Sequence, residues 1–359
     1  MFPDLVIGMK YEKEAIDFLK GIKSTDETVI VFNNDGDGIC SCSLIVKLFE
    51  KLGLRKPYLI SQPMPMDKNL VNRIKTTIPN KIIFLDLVVD QQEDVVKKLR
   101  GFSDILIIDH HVAKKNLNNK NVIYFNPRIT KPSVYRSTSY CAYKVCNQII
   151  DMKEWLWIAA VGIVSDYNLE DSKDIVDDAK EKLGVKDLYD SFIGRIADMI
   201  SASRATAALS CEQIVELFTN IKDPKELEET ENGQRLAEAY KIIQNEVALI
   251  LEDIKVSAEK MGNVVLYNVK SKYNLSSPIS TKVSELYKDK LILIYNKTGS
   301  RYKISARNQS KNINAGKIMS LAAKGLKASG GGHEAAAGAT VDEKDWQKFK
   351  ENVIRLVNK

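Results

Sequence analysis

Short apolar, β-branched runs and amphipathic stretches alternate along the first half of the chain. "ETVIVF" (27–32) precedes "SLIVKLFEKLG" (43–53), in which Leu44, Ile45, Leu48, Phe49 and Leu52 share one helical face. "KIIFLDL" (81–87) precedes a charged helical stretch at 91–100, and "DILIIDHH" follows from Asp104. This alternation predicts a parallel sheet with covering helices. A fourth apolar run, "WLWIAAVGIVSDYN" (155–168), reads as ending in an acid in the same way.

Residues 233–258 place Leu236, Tyr240, Ile243, Val247, Leu251 and Ile254 at steps of three and four, which predicts a long amphipathic helix. It follows an acidic segment at 223–233 and is expected to connect two domains. Beyond it, "NVVLYNV" (263–269), "KLILIYN" (290–296) and "RYKISARN" (301–308) alternate as strands. They lead through the helical "AGKIMSLAAKG" (315–325) to the glycine-rich "SGGGHEAAAGAT". The expected fold is α/β. An N-terminal parallel-sheet domain spans 1–205, a helical connector 206–258 and a smaller C-terminal α/β domain 259–359, with the active site expected in the cleft between the domains.

The strands predicted in the first half end in acids. The first leads to Asp35 and Asp37, the second to Asp86, the third to Asp109, His110 and His111, and the fourth run to Asp166. Two of the three histidines in the chain are therefore adjacent residues at one strand end. The carboxyl ends of strands in an open parallel sheet form the crevice where ligands bind. Crowded carboxylates repel one another and suffer raised pKa values unless cations are present. A single acid after a strand is equally well a helix N-cap; the whole set predicts metal binding. Oxygen ligands with one or two imidazoles suit Mn²⁺ or Mg²⁺. The third histidine, His333, follows Gly330, Gly331 and Gly332. Backbone N–H groups in a glycine-rich turn can ring an anion, so this segment is expected to clamp a phosphate.

Composition narrows the class. At 359 residues, 44% apolar and 28% charged, the chain has room for two globular domains. No apolar run reaches bilayer length, and "MFPDLVIGMKYEKEAI" lacks the basic start and apolar block of a signal peptide. A cytoplasmic protein with no membrane partner is expected. The five cysteines form no CxxC pair, which suits reduced thiols. The net charge of +6 is unevenly spread. Residues 270–327 hold thirteen Lys and Arg against two acids, whereas elsewhere 45 acids face 40 bases. Such a cluster attracts polyanions through phosphate contacts.

These motifs, in this order, resemble the DHH phosphoesterase superfamily. "NNDGDGICS" resembles its first motif, Asp86 its second, Asp109–His110–His111 its third and Asp166 its fourth. "KISARN" and "SGGGHEAAAGA" resemble the associated C-terminal domain of RecJ-type nucleases and oligonucleotide phosphodiesterases. The resemblance implies two Mn²⁺ sites, with Mg²⁺ as an alternative ion. Asp86 would bridge the ions, with Asp35 on one side and Asp37, His110 and Asp166 on the other. His111 would face the scissile phosphate and Asp109 would orient its neighbours. Arg307, His333 and the glycines before it would hold substrate phosphates. Family members often carry His or Asp two residues before the first-motif aspartate, or His four before it. Asn33 and Val31 stand there, which implies a weaker Asp35-side metal.

The leading expectation is an exonuclease for single-stranded DNA or RNA, of either polarity. Tyr273, Tyr287, Tyr295 and Tyr302, inside the basic stretch, are candidates for base stacking or for the strand core. A phosphodiesterase for short oligonucleotides or cyclic dinucleotides is the enzymatic alternative. A catalytically weak scaffold working with replication or repair proteins is the third reading, although such a scaffold has no need of all seven acids and histidines.

Overall fold

Apolar runs buried on both sides make the central layer of the N-terminal part. The computed structural model describes residues 3–358, with side chains from Lys10 onward. The chain divides into one unit ending at Tyr240 and a second beginning at Lys241. The elements of the first are α1 (Pro3–Lys20), β1 (Thr28–Asn33), α2 (Gly36–Lys51), β2 (Tyr58–Gln62), α3 (Leu70–Lys75), β3 (Lys81–Leu85) and α4 (Glu93–Leu99). They continue with β4 (Asp104–Ile108), β5 (Val122–Phe125), α5 (Thr138–Asn147), α6 (Leu156–Ser165), α7 (Lys173–Leu183), α8 (Phe192–Thr206) and α9 (Cys211–Asn220).

The five strands run parallel in the order β2-β1-β3-β4-β5. Alternate residues serve opposite cores, as the period of two requires. Ile30, Phe32, Ile83, Leu85, Leu106 and Ile108 pack with residues of α2, α5 and α6. Val29, Val31, Ile82, Phe84, Ile105 and Ile107 pack with Leu70 and Ile74 of α3 and with Val96 and Leu99 of α4. Burial on both faces explains why these strands are apolar throughout. The strand order reverses between β1 and β3, and this switch point is where an open α/β sheet leaves a crevice.

Side chains occupy backbone groups on both edges of the sheet. On β2, Ser61 N–H donates to Glu212 Oε1 of α9 at 2.9 Å. On β5, Tyr124 N–H donates to Asn118 Oδ1 at 2.7 Å, and Asn118 Nδ2 donates to the Tyr124 carbonyl at 3.0 Å.

The fourth apolar run is not a strand. Residues 156–165 form α6, with Asp166 as its C-cap. A helix buried on all sides loses its polar face, and its sequence then reads like a buried strand. Gly162 lets α6 approach its neighbours: a Cβ there would lie 2.3 Å from Ser139 Oγ and 3.0 Å from Cys40 Cβ. None of the described cysteines is bonded to another.

The second unit contains the greater part of α10 (Glu231–Ser257), followed by β6 (Glu259–Met261), β7 (Val264–Asn268), α11 (Ser276–Leu286), β8 (Leu291–Thr298) and β9 (Arg301–Arg307). It ends with α12 (Ala315–Ala323), β10 (Ala328–Gly332), β11 (Ala336–Asp342) and α13 (Trp346–Val357). Its sheet has the order β10-β11-β9-β8-β7-β6, parallel only between β7 and β8. Residues of the expected connector fall in both units: Ile214, Phe218 and Leu236 belong to the core of the first.

The glycine tract, expected as a turn, is edge strand β10, hydrogen-bonded to β11. Glycine is a poor strand former, and here close approach explains it. A Cβ on Gly330 would lie 2.5 Å from the Met319 carbonyl oxygen, and one on Gly316 would lie 2.3 Å from that of Gly332. Tyr295 and Tyr302 both pack on Trp346, with ring centroids 4.5 Å away in each case, so they serve the core rather than a stacking wall. Among the described residues no helix is long and apolar enough to cross a membrane.

Alanine normally stabilises a helix interior relative to glycine. At Gly162 the sign should reverse, because the added methyl overpacks the α5–α6 contact. Gly162→Ala should lose about 1–3 kcal/mol in urea unfolding. The cost should shrink when Ser139 is also glycine; simple additivity would show that this contact does not set the helix spacing.

Candidate metal centre

The first motif follows β1 directly. Asp35 is the N-cap of α2, and its Oδ1 accepts from Gly38 N–H at 3.0 Å. Asp37 lies in the first turn, and its two oxygens accept from the backbone N–H groups of Thr138 and Ser139, at 2.7 and 2.8 Å. Those donors are the first N–H groups of α5, whose N-cap is Ser137. The start of one helix thus binds the carboxylate carried by the start of another, with the partial positive charge of the α5 terminus towards the anion.

Asp86 follows β3 with a φ of 60°, a left-handed conformation that Asp tolerates better than most residues. Its Oδ1 accepts from Thr138 Oγ1 at 3.3 Å and lies 3.2 Å from His110 Nε2. The other ring nitrogen of His110, Nδ1, lies 3.5 Å from Asp166 Oδ2. Both of these atoms are buried and without a hydrogen-bond partner.

Asp109 stands behind this cluster and is fully buried. It accepts from Tyr124 Oη at 3.1 Å and Asn126 Nδ2 at 3.3 Å, and its Oδ1 lies 2.8 Å from His111 Nδ1. This contact leaves Nε2 of the half-exposed His111 as the ring nitrogen not held by Asp109. The pKa shifts follow from the packing. Burial, reinforced by the charge of Asp35, pushes Asp37 up to about 6, against the pull of the Thr138 and Ser139 hydrogen bonds. Burial and the charges of Asp35, Asp37, Asp109 and Asp166 drive Asp86 well above the usual carboxylate range. Burial and the Asp37 charge push Asp166 up to about 8. Burial and the neighbouring His111 lower His110 to about 4, so its imidazole is neutral near pH 7. For Asp109 burial acts upward, but its hydrogen bond to His111 and the charge of that ring lower it overall.

These observations fit a divalent cation. Two sets of donor atoms lie within 4.8 Å of one another: Asp37, His110 and Asp166, and Asp86, His110 and His111. The first set is the better candidate, because His110 Nδ1 and Asp166 Oδ2 are orphaned, whereas His111 Nδ1 is engaged by Asp109. Buried carboxylates with raised pKa values and a neutral imidazole form a hard, mostly oxygen donor set.

Asn33 does something its neutral character did not suggest. Its Oδ1 accepts from Asn34 N–H at 2.9 Å, which orients the amide. Its Nδ2 then donates to Asp35 Oδ2 at 2.6 Å and to Asp86 Oδ2 at 3.1 Å. The amide thus joins the carboxylates of Asp35 and Asp86.

Arg307, Gly330, Gly331, Gly332 and His333 lie together in the second unit. Arg307 ends β9 opposite Ala336, and His333 N–H closes the β10–β11 turn onto the Ala336 carbonyl at 2.8 Å. The α12 N-terminus docks on this turn, with Ala315 and Gly316 N–H donating to the carbonyls of Glu334 and His333 at 2.8 and 3.0 Å. Arg307 Nη2 lies 3.4 Å from Ser277 Oγ, and its Nε is buried without a partner.

Comparison with known proteins supplies the family context. Residues 27–163 match the DHH family, N-terminal domain, and residues 263–359 match the DHHA1 domain. An uncharacterised protein from Methanocaldococcus jannaschii is 25% identical, covering 91% of this chain and 92% of that protein. The fold is similar to that of RecJ from Thermus thermophilus in complex with Mn²⁺, at a TM-score of 0.75 and 16% identity. That match covers 97% of this chain and 55% of the RecJ chain, so this chain spans about half the length of that protein. A pGpG-specific phosphodiesterase from Vibrio cholerae matches at a TM-score of 0.54 and 15% identity, covering 92% of this chain and 99% of that one.

Free Mn²⁺ at a hundred times its dissociation constant should raise unfolding stability by about 2.7 kcal/mol. Asp166→Asn should lose most of that gain. Asn33→Ala leaves Asp35 and Asp86 facing each other without the amide. In EDTA its melting temperature should fall, consistent with about 1–3 kcal/mol for groups left unsatisfied, and Mn²⁺ should restore more stability to it than to the wild type. A variant that melts like the wild type in EDTA and responds equally to Mn²⁺ would show that the amide plays no part.

Proposed function

Since the chain belongs to the DHH superfamily and has a RecJ-like fold, we propose that it is a divalent-metal-dependent phosphodiesterase that degrades single-stranded DNA or RNA from an end. The observation that carries this reading is the convergence of Asp37, Asp86, His110 and Asp166, with His110 Nδ1 and Asp166 Oδ2 buried and unpartnered. Asp37, His110 and Asp166 would hold such an ion, Mn²⁺ by preference and Mg²⁺ as the alternative, and Asp35 and Asp86 would offer the donors for a second, more weakly held one. When bound, such an ion activates water and withdraws charge from a phosphoryl oxygen.

The remaining work falls to side chains. The helix-terminal N–H groups of Thr138 and Ser139 fix the Asp37 carboxylate against torsion. Asp109 holds His111 through Nδ1, so that Nε2 is oriented for a phosphate oxygen. Tyr124 and Asn126 in turn hold Asp109. Arg307, His333 and the Gly330–Gly332 backbone bind the phosphates of the substrate. The thirteen Lys and Arg of residues 270–327 favour a strand longer than a dinucleotide.

Hydrolysis of end-labelled single strands should depend on added Mn²⁺ and stop in excess EDTA. A length series separates the main alternative: turnover of dinucleotides with none of long strands would assign the protein to short oligonucleotides or cyclic dinucleotides. Neutralising the exposed Lys282, Arg301, Lys303 and Lys311 should weaken long-strand binding. The log–log salt slope should flatten by about 0.7 per lost phosphate contact, with dinucleotide turnover little changed. Lys297 is a poorer choice, because Glu343 already holds it at 2.5 Å.

Arg307→Ala or His333→Ala should instead slow even the shortest substrate. A charge-assisted hydrogen bond of about 1.5–3 kcal/mol corresponds to roughly tenfold or more in rate. Wild-type dinucleotide turnover in both variants would reduce the second unit to an accessory binding surface.

A further inference from the structure

The acid cluster borders on an exposed aromatic pair that the proposed chemistry does not use. Tyr167 immediately follows Asp166 and is 78% exposed. Its ring stacks on that of Tyr189, with centroids 5.9 Å apart and planes inclined by 29°. Tyr189 is itself exposed. Scattered exposed aromatics are ordinary on protein surfaces. A stacked, solvent-facing pair beside a buried cluster of ionisable groups is a different observation.

The backbone holds Tyr167 out deliberately. Its φ is 53°, in the left-handed region where a bulky side chain is an outlier that persists only if its surroundings impose it. Both sides are anchored. Asp166 N–H donates to the Gly162 carbonyl and Tyr167 N–H to that of Val164, each at 3.1 Å, closing the end of α6. Asn168 is buried: its N–H donates to the Ile163 carbonyl at 3.0 Å, its Oδ1 accepts from Ser137 N–H at 3.2 Å, and its Nδ2 bonds the Tyr135 carbonyl. The segment is therefore tied to α6 and to the start of α5, which also carries the donors to Asp37. A rigid mount with an exposed ring loses little freedom when a flat ligand settles on it.

We infer that Tyr167, braced by Tyr189, is a stacking platform for the nucleobase of the nucleotide whose phosphate lies at the acid cluster. The inference rests on the phosphodiesterase reading and refines its substrate to an end that bears a base. Consecutive Cα atoms are about 3.8 Å apart, so the ring is rooted beside the Asp166 carboxylate, within the span of one nucleotide. Every base has a π-face, so stacking selects for the presence of a base and tolerates its identity.

The test uses the full chain and single strands carrying 2-aminopurine at the 5′ or the 3′ end, together with matched strands whose terminal nucleotide is abasic. Binding is followed with Ca²⁺ in place of Mn²⁺, and turnover with Mn²⁺. One terminal label should be quenched on binding. Tyr167→Ala should abolish the quench and lower kcat/KM by about 5- to 150-fold, the range for one base on an aromatic ring, whereas Tyr167→Phe should retain both. Tyr167→Gly fits the left-handed backbone, so a loss shared by the Ala and Gly variants reports the ring rather than a misfolded loop. The abasic strand should be a poor substrate that no Tyr167 variant worsens. Absence of quenching at both ends, or equal losses on normal and abasic strands, would overturn the platform. Quenching that depends on Tyr167 without any hydrolysis would instead uphold the platform and refute the phosphodiesterase reading.

Discussion

Several carboxylates share a water-poor space at the C-terminal ends of β1, β3 and α6, and their mutual repulsion is the constraint that the surrounding structure answers. Neither strand can be shifted to relieve it, because both are packed on two faces by separate cores. Relief comes from dipoles and amides brought in from elsewhere. The α5 terminus supplies two N–H groups to Asp37. Asn33 supplies its amide to Asp35 and Asp86, and Thr138 supplies a hydroxyl to Asp86. The compensation is incomplete, as the raised values of Asp37, Asp86 and Asp166 show. A deficit of positive charge with convergent lone pairs is what makes the crevice suitable for a cation.

Much of this was legible in the sequence, for identifiable reasons. β1, β3 and β4 announce themselves because strands buried on both faces must be apolar throughout, and an acid at the end of such a run is conspicuous. The same uniformity hides α6, since a helix without a polar face carries no period to read. β2 and β5 are edge strands, and the exposed Tyr58 weakens the pattern of β2. β10 could not be read as a strand, because a glycine run signals a turn, and the close approach of the Met319 carbonyl that accounts for Gly330 appears only once α12 is packed against it.

The site divides along a similar line. Side chains that contribute charge, such as Asp37 or His110, stand out by type and position. The groups that steady them do not. Thr138 and Ser139 hold Asp37 through backbone N–H, which has no residue signature; "STS" at 137–139 reads only as a helix cap. Tyr124 and Asn126 hold Asp109 from the edge strand and the turn after it, a proximity that only the β4–β5 pairing creates. Asn33 was visible as a residue but not as a donor, because its role depends on the orientation that Asn34 imposes.

The side chains that occupy the two edges of the first sheet also bear on how the protein behaves in a crowd of its own copies. An open edge offers unpaired N–H and C=O groups on which a second chain can build a strand. Glu212 occupies Ser61 N–H on one side, and Asn118 imitates a strand residue at Tyr124 on the other, giving one bond and taking one. Burial acts to raise the Glu212 carboxyl, but its hydrogen bonds at Ser61 outweigh this and hold it below its usual value. The acceptor on β2 therefore remains charged in mild acid and weakens only when the pH falls through that depressed value. Two side chains remote from the acid cluster thus occupy backbone groups that a second strand would need, and of the two only the carboxylate on β2 changes charge with pH.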